Sequence, residues 1–218
     1  MSLGAGFDTT YFRLAAAGTV SSTLTYYEVD FAETVTQKQQ VIDSAADLLS
    51  LASQHVLVAS DLHDIPSLAS SLEAASISYD SPTLILSEVS LTYMEDTAVD
   101  ALLTWIASKF KSAAIFIYEQ VEPHDGFGTV MCRHYAEIGS PLLSIDTYPS
   151  VEAVFERHQQ AGLKPAAAMD ANAFLQQLDP AQQAKILDLE AFDEFEEWIL
   201  TCGHYMLVSS CTASCMEP

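Results

Sequence analysis

Gly4 and Gly6 flank Ala5 where a short apolar start gives way to a helical pattern. Glycines at such a place let the backbone turn tightly and approach a nucleotide-like ligand. The dinucleotide fingerprint needs a third glycine three residues after the second, and Thr9 stands there instead. A nucleoside without a pyrophosphate is the better expectation. Asp30 follows the apolar run 24–29, so its carboxylate would sit at a strand's carboxyl end, where it can accept two hydrogen bonds from ribose hydroxyls. It could also cap a helix starting at Phe31, and the two roles are compatible. Asp61 could receive an adenine amino group while Leu62 covers the ring, with Asp64 placed to cap a helix ahead of Ile65 and Pro66.

Glu88 stands near the end of the otherwise apolar run 83–89. A buried carboxylate there would be costly without a cation, either the ammonium of a methionine-like ligand or one of the few basic side chains. Tyr118, Glu119 and Gln120, with Asp125 and Phe127 soon after, could form a polar rim for an acceptor substrate. Equally, Phe127 could simply anchor a loop, and the residues alone leave both readings open. His63, His124, His134 and His204 lack metal-ligand spacing, and no serine stands in a nucleophile elbow, so no metal and no acyl-enzyme chemistry are expected.

These residues need elements to position them. Runs 24–29, 56–60, 83–89 and 113–118 look like strands, separated by helical patterns at 8–16, 31–51, 65–75 and 95–109. That alternation predicts an α/β fold with a parallel sheet and crossovers. Beyond Tyr118 the pattern predicts helices over 127–138 and 151–161, a strand at 164–169, further helices through Leu178 and Leu189, and a closing strand at 204–209. The acidic, aromatic-punctuated stretch from Asp193 to Trp198 reads as an amphipathic helix. Only Met1, Ser2 and Leu3 precede the glycine turn, so the first strand is expected to be truncated and part of the domain to lie upstream. One domain over 1–210 with an irregular tail at 211–218 is predicted.

The chain has 218 residues, half of them hydrophobic, enough for one α/β core. Eight basic residues face thirty acidic ones, a net charge of -22 that repels phosphate backbones. Cys132, Cys202, Cys211 and Cys215 show no paired motif and read as reduced thiols. Apolar runs fall short of the roughly 20 residues of a membrane span, so no membrane is expected and a cytoplasmic location is.

Read in order, SLGAGFDTTYFRL from Ser2, YEVDF from Tyr27, DLHDI from Asp61, SEVSLTYM from Ser87, YEQV from Tyr118, DGFGTVM from Asp125 and FDEFEEW from Phe192, followed by His204 and Tyr205, resemble the leucine carboxyl methyltransferase family over almost the whole chain. The resemblance implies a Rossmann-like class I methyltransferase: a mostly parallel seven-stranded sheet with helices on both faces, and S-adenosyl-L-methionine held by Gly4, Asp30, Asp61, Leu62 and Glu88. It also implies a lysine and an arginine upstream of the first strand holding the cofactor's carboxylate, without which the chain would be a non-catalytic binding product. One branch of the family methylates the carboxyl-terminal leucine of the protein phosphatase 2A catalytic subunit. The other methylates a modified guanosine side chain of tRNA-Phe in wybutosine synthesis and carries a kelch-type propeller after this domain. FDEFEEW looks more like the second. Because a carboxylate is already ionised near neutral pH, no residue is assigned as acid or base.

Overall fold

A computed structural model describes residues 1–189 and 193–212. Strands β1 (Ser2–Leu3), β2 (Tyr26–Asp30), β3 (His55–Ala59), β4 (Thr83–Glu88) and β5 (Ala113–Gln120) carry the branched and aromatic residues that suit a pleated surface. Between them run helices α1 (Thr10–Ala16), α2 (Ala32–Ser44), α3 (Ala46–Leu51), α4 (Ile65–Ala74) and α5 (Asp96–Lys109). The second half adds α6 (Gly126–Glu137), α7 (Val151–Gln160), β6 (Lys164–Asp170), α8 (Ala171–Gln177), α9 (Pro180–Leu187), α10 (Phe195–Gly203) and β7 (Tyr205–Cys211). The strands form one sheet in the order β3-β2-β1-β4-β5-β7-β6, with β7 antiparallel to both its neighbours and the other pairs parallel.

Most predicted segments and observed elements coincide to within a residue or two, but the helix expected over 193–198 is α10, which starts at Phe195 and runs on to Gly203, and two more corrections follow. The single helix expected over 31–51 is two, because Ala45 is extended (φ -114°, ψ 106°) and redirects the chain. The bend lets Leu48 and Leu51 pack on the same aromatic cluster as Ile42, where a straight helix would carry them away. The expected tail is also shorter: Ser210 and Cys211 belong to β7, and Thr212 is buried, its Oγ1 accepting from Ala113 N at 3.0 Å. A polar, small-residue segment looks irregular in sequence, but β7 is paired on both sides, and ladder bonds to β5 and β6 fix it. Residues 213–218, with Cys215, and Phe192 of the FDEFEEW segment lie outside the described residues.

Residues paired across neighbouring strands share a sheet face. Val58, Val29, Leu3, Ser87, Ile117 and Val208 lie in one register row on the face covered by α4, α5 and α7, where Leu68, Leu72, Val99, Leu102, Leu103, Ile106 and Val154 complete the main core. The next row toward the carboxyl ends, with Asp30, Glu88, Tyr118 and Leu207, points to the opposite face. There α1, α2 and α3 cover β2 and β3 through Tyr11, Phe12, Tyr26 and Ile42. Leu84 and Phe116, on that same face of β4 and β5, are exposed. Helices thus lie on both faces but unequally.

No helix among the described residues is long and apolar enough to cross a membrane.

Candidate functional site

The chain order runs outward from β1 in one direction through β2 and β3, then returns to β4 and β5 on the other side, so β1 marks the point where the winding reverses. Open α/β sheets bind ligands at this point, beyond the carboxyl ends of the strands. Gly4 leaves β1 there with φ +64° and donates its N–H to Val29 O at 2.9 Å. Gly6 follows with φ +51°, and its N–H donates to Asp30 Oδ2 at 2.7 Å. The other oxygen, Asp30 Oδ1, accepts from Phe31 N at 2.7 Å. Asp30 therefore does not cap α2 with its side chain: Phe31 is the N-cap residue of that helix, with no side-chain cap, and the carboxylate holds the glycine turn against the strand end. A carboxylate has about four lone-pair positions, so two remain for ribose hydroxyls.

Gly4, Asp30, Asp61 and Leu62 converge on one cleft of about 260 Å³, walled further by Ser60, His63, Val89 and Ser90 and by Phe31, Tyr93 and Met94. That volume lies near the lower end for small-molecule sites and suits a nucleoside-sized group. Two features of the chain itself fit such a ligand. Ser60 Oγ is buried in the cleft wall without a hydrogen-bond partner. A Cβ on Gly4 would fall 1.8 Å from Ser90 Oγ, so only glycine leaves the cleft floor open. Val89 adds a strained backbone: a β-branched residue at φ 47°, which such side chains rarely tolerate outside functional places.

Asp61 is half exposed and accepts from both His63 N, at 2.9 Å, and His63 Nδ1, at 2.8 Å. Those bonds hold its carboxyl below the usual range, the backbone amide contributing most, so it stays an acceptor. Asp64 caps α4 by accepting from Ser67 N at 3.0 Å, with Pro66 in the first turn.

Two expectations need correction. Glu88 is exposed, not buried, because its face of β4 is uncovered, so the desolvation argument for a buried cation partner does not hold. It stands in the row of Asp30 and Tyr118 yet outside the cleft wall, one residue before Val89. Glu119 is not on the rim either. Strand alternation turns it to the opposite face, where it is buried and Oε1 accepts from Thr92 N at 2.9 Å. Burial pushes its carboxyl up to about 7, against the lowering effect of the backbone bonds and Arg157. Asp125 and Phe127 also make structural contacts: Asp125 caps α6 through Gly128 N at 2.7 Å and accepts from His204 Nε2 at 2.9 Å, while Phe127 packs on the His204 ring at 4.3 Å. Tyr118 and Gln120 lie on the other face of β5, Gln120 buried and Tyr118 stacked on Tyr205 with ring centroids 5.3 Å apart.

Sequence reasoning missed several contributors. Ser60, Ser90 and Tyr93 each follow a strand within five residues, a position that signals the site in this fold. Lys38, buried on α2, had no such signal: it pairs with buried Glu28 and donates to Asp8 O at 2.8 Å, tying the glycine loop to the sheet. Among the described residues no group of histidine, cysteine or acidic side chains is arranged to hold a metal.

Residues 1–107 match the leucine carboxyl methyltransferase family. The chain is 38% identical to tRNA wybutosine-synthesizing protein 4 of Rattus norvegicus, over 96% of its own length and 33% of that protein. It is 31% identical to leucine carboxyl methyltransferase 1 of Caenorhabditis elegans, over 96% of this chain and 68% of the relative. Among solved structures, magnesium protoporphyrin IX methyltransferase from Synechocystis PCC 6803 with bound SAH shares the fold at TM-score 0.54 and 13% identity, covering 97% of this chain and 73% of that one. The chain thus spans about a third of the wybutosine-synthesizing relative it matches. With the parallel sheet, the glycine turn and the acids at its strand ends in place, the chain belongs to the leucine carboxyl methyltransferase family, enzymes of Rossmann-like fold.

Proposed function

We propose that this chain is the S-adenosyl-L-methionine-binding, carboxyl O-methylating unit of a cytoplasmic protein of tRNA wybutosine synthesis, acting on the side-chain carboxylate of a modified guanosine in tRNA-Phe. The observation that carries the acceptor assignment is the 38% identity to a wybutosine-synthesizing protein, against 34% to the leucine carboxyl methyltransferase 1 homolog of Arabidopsis thaliana, at 96% and 94% coverage of this chain.

In this reading Asp30 accepts the ribose hydroxyls, Asp61 the adenine amino group, and Leu62 covers the ring, with Ser60 Oγ supplying a further polar contact inside the cleft. Gly4 and Gly6 let the backbone pass close beneath the sugar. Glu88, exposed one residue before Val89, would take the amino group of the methionine portion. The cofactor supplies an electrophilic methyl on a sulfonium. When bound, it would offer that methyl to a carboxylate oxygen of the acceptor, giving the methyl ester and leaving the thioether. The protein's work is to align the acceptor and exclude water that would shield the nucleophile.

The net charge of -22 favours a second reading, methylation of the terminal leucine carboxylate of the protein phosphatase 2A catalytic subunit, because a tRNA backbone is repelled by this surface. Methyl transfer from labelled S-adenosylmethionine to undermodified tRNA-Phe and, separately, to the phosphatase subunit decides between them. Label in the phosphatase alone would overturn the proposal.

A further inference from the structure

An imidazole joins two walls of the cleft. His63, in the loop between β3 and α4, lines it beside Asp61 and Leu62, while Tyr93 and Met94 line it from the segment after β4. His63 Nδ1 lies 2.8 Å from Asp61 Oδ1, and Nε2 lies 3.2 Å from Oε2 of Glu95, the residue after Met94. A ring nitrogen donates to a carboxylate only through its hydrogen, so with both contacts made the imidazole donates at both ends. Glu95 directly precedes α5 but makes no side-chain cap there, so no helix end competes for its carboxylate. The two hydrogen bonds that the Asp61 side chain accepts, from His63 N and His63 Nδ1, both end on Oδ1, and among the described residues Oδ2 accepts none. The carboxylate is thus held by one oxygen, and the other is free for a ligand. His63 and Glu95 are both exposed, and ion pairs of that kind contribute little to folding. The consequence of this pairing lies in where it points Asp61.

We propose that His63 is a positioning residue that, braced by Glu95, fixes Asp61 on the exocyclic amino group of the cofactor's purine and so makes the site select adenine. The inference rests on the adenine role given to Asp61 above and adds what enforces it. The edge of the purine explains why orientation matters. Adenine offers an amino donor on C6 and an acceptor at the neighbouring ring nitrogen. Hypoxanthine, its deaminated counterpart, offers a carbonyl acceptor on C6 and an N–H donor at that ring nitrogen. An ionised carboxylate only accepts. Held opposite C6, it bonds the adenine amino group but meets the hypoxanthine carbonyl acceptor against acceptor. Released, it can swing to the ring N–H and bind hypoxanthine instead. The brace therefore turns a general acceptor into a discriminating one, because the wrong base is left with an unmatched polar edge.

Calorimetry on the whole chain compares S-adenosylhomocysteine with S-inosylhomocysteine. The parent favours the adenosyl ligand by roughly tenfold or more, the scale of a hydrogen bond to a charged group exchanged for an unmatched contact. His63→Leu weakens S-adenosylhomocysteine by roughly tenfold and leaves S-inosylhomocysteine within about twofold, so the preference largely disappears. His63→Asn, whose amide nitrogen still donates to Asp61 Oδ1, and Glu95→Ala, which removes only the brace, each keep part of it. Circular dichroism and melting temperature stay close to the parent's in all three, because only exposed polar contacts are lost. A merely structural His63 would move both affinities together and leave their ratio untouched. An adenosyl preference in His63→Leu equal to the parent's overturns the inference and leaves the adenine role of Asp61 standing. A parent that binds both ligands equally overturns that role and the inference with it.

Discussion

Gly4 and Ser90 meet across the floor of the cleft so closely that a single methyl group on Gly4 would sit 1.8 Å from Ser90 Oγ, with the Gly4 backbone already at φ +64°. Gly6, two residues on, has φ +51° but nothing within 4 Å of its absent Cβ.

The two glycines therefore separate steric from conformational cost. Gly4→Ala combines a clash with left-handed strain and is expected to lose S-adenosylhomocysteine binding altogether by calorimetry. Gly6→Ala bears the strain alone, about 1 kcal/mol, and is expected to bind within about tenfold of the parent. Equal behaviour of the two variants would contradict the contact with Ser90.

Asp30 does two things at once: it clamps Gly6 and presents its remaining lone pairs to the cleft. Asp30→Ala is expected to weaken S-adenosylhomocysteine binding at least 100-fold, because it removes charge-assisted bonds to the ligand and frees the glycine turn. Asp30→Asn keeps an oxygen for Gly6 and loses the charge, so an intermediate loss is expected. A ligand lacking both ribose hydroxyls should bind the parent and the Asn variant alike.

Glu119 sets a pH dependence of stability. Its unfolded value is 4.5 and burial raises the folded value to about 7. A raised acid favours the fold while it keeps its proton, so its contribution is fully present below pH 4.5 and disappears as pH rises to about 7, on the order of 3 kcal/mol in all. Denaturant titrations at several pH values should show that decline in a His158→Gln background, and adding Glu119→Gln, which retains an oxygen for Thr92 N, should flatten it.

His158 works with the opposite sign. Burial first, and Arg157 second, lower its imidazole from 6.5 to about 4, and Nδ1 pairs with Ser210 Oγ at 2.8 Å. Its stabilisation is present above pH 6.5 and is lost as pH falls toward 4, again on the order of 3 kcal/mol. His158→Gln should be destabilised at neutral pH yet lose less on acidification. In a Glu119→Gln background, which removes the opposing carboxyl, a stability flat from pH 6.5 to 4 would disprove this assignment.

Exposure of Leu84 and Phe116 on β5 and its neighbour β4 predicts that the isolated chain binds a hydrophobic dye such as anilinonaphthalene sulfonate in its native state. The fluorescence should fall when Leu84→Ser and Phe116→Ser are combined, with unchanged circular dichroism.

The order of local signals along the chain was enough to determine the architecture. Alternating strand and helix blocks imply parallel crossovers, and a glycine turn after β1 with acids after β2 and β3 marks the cleft, because in this fold strand ends and ligand site coincide. Gly4, Asp30, Asp61 and Leu62 could be placed at the cleft for that reason, while Gly6 lies beside it, held by Asp30. Burial and facing could not. Glu88 and Glu119 are both acids at the ends of apolar strands, yet one is exposed and the other buried, since strand alternation sends them to faces that helices cover unequally. Likewise Tyr135 and Tyr205 stand 70 residues apart and share a hydrogen bond only because α6 and β7 return to the end of β5. Periodicity reports which residues share an element's face. What lies against that face is fixed by long-range packing, and only the tertiary structure decides it.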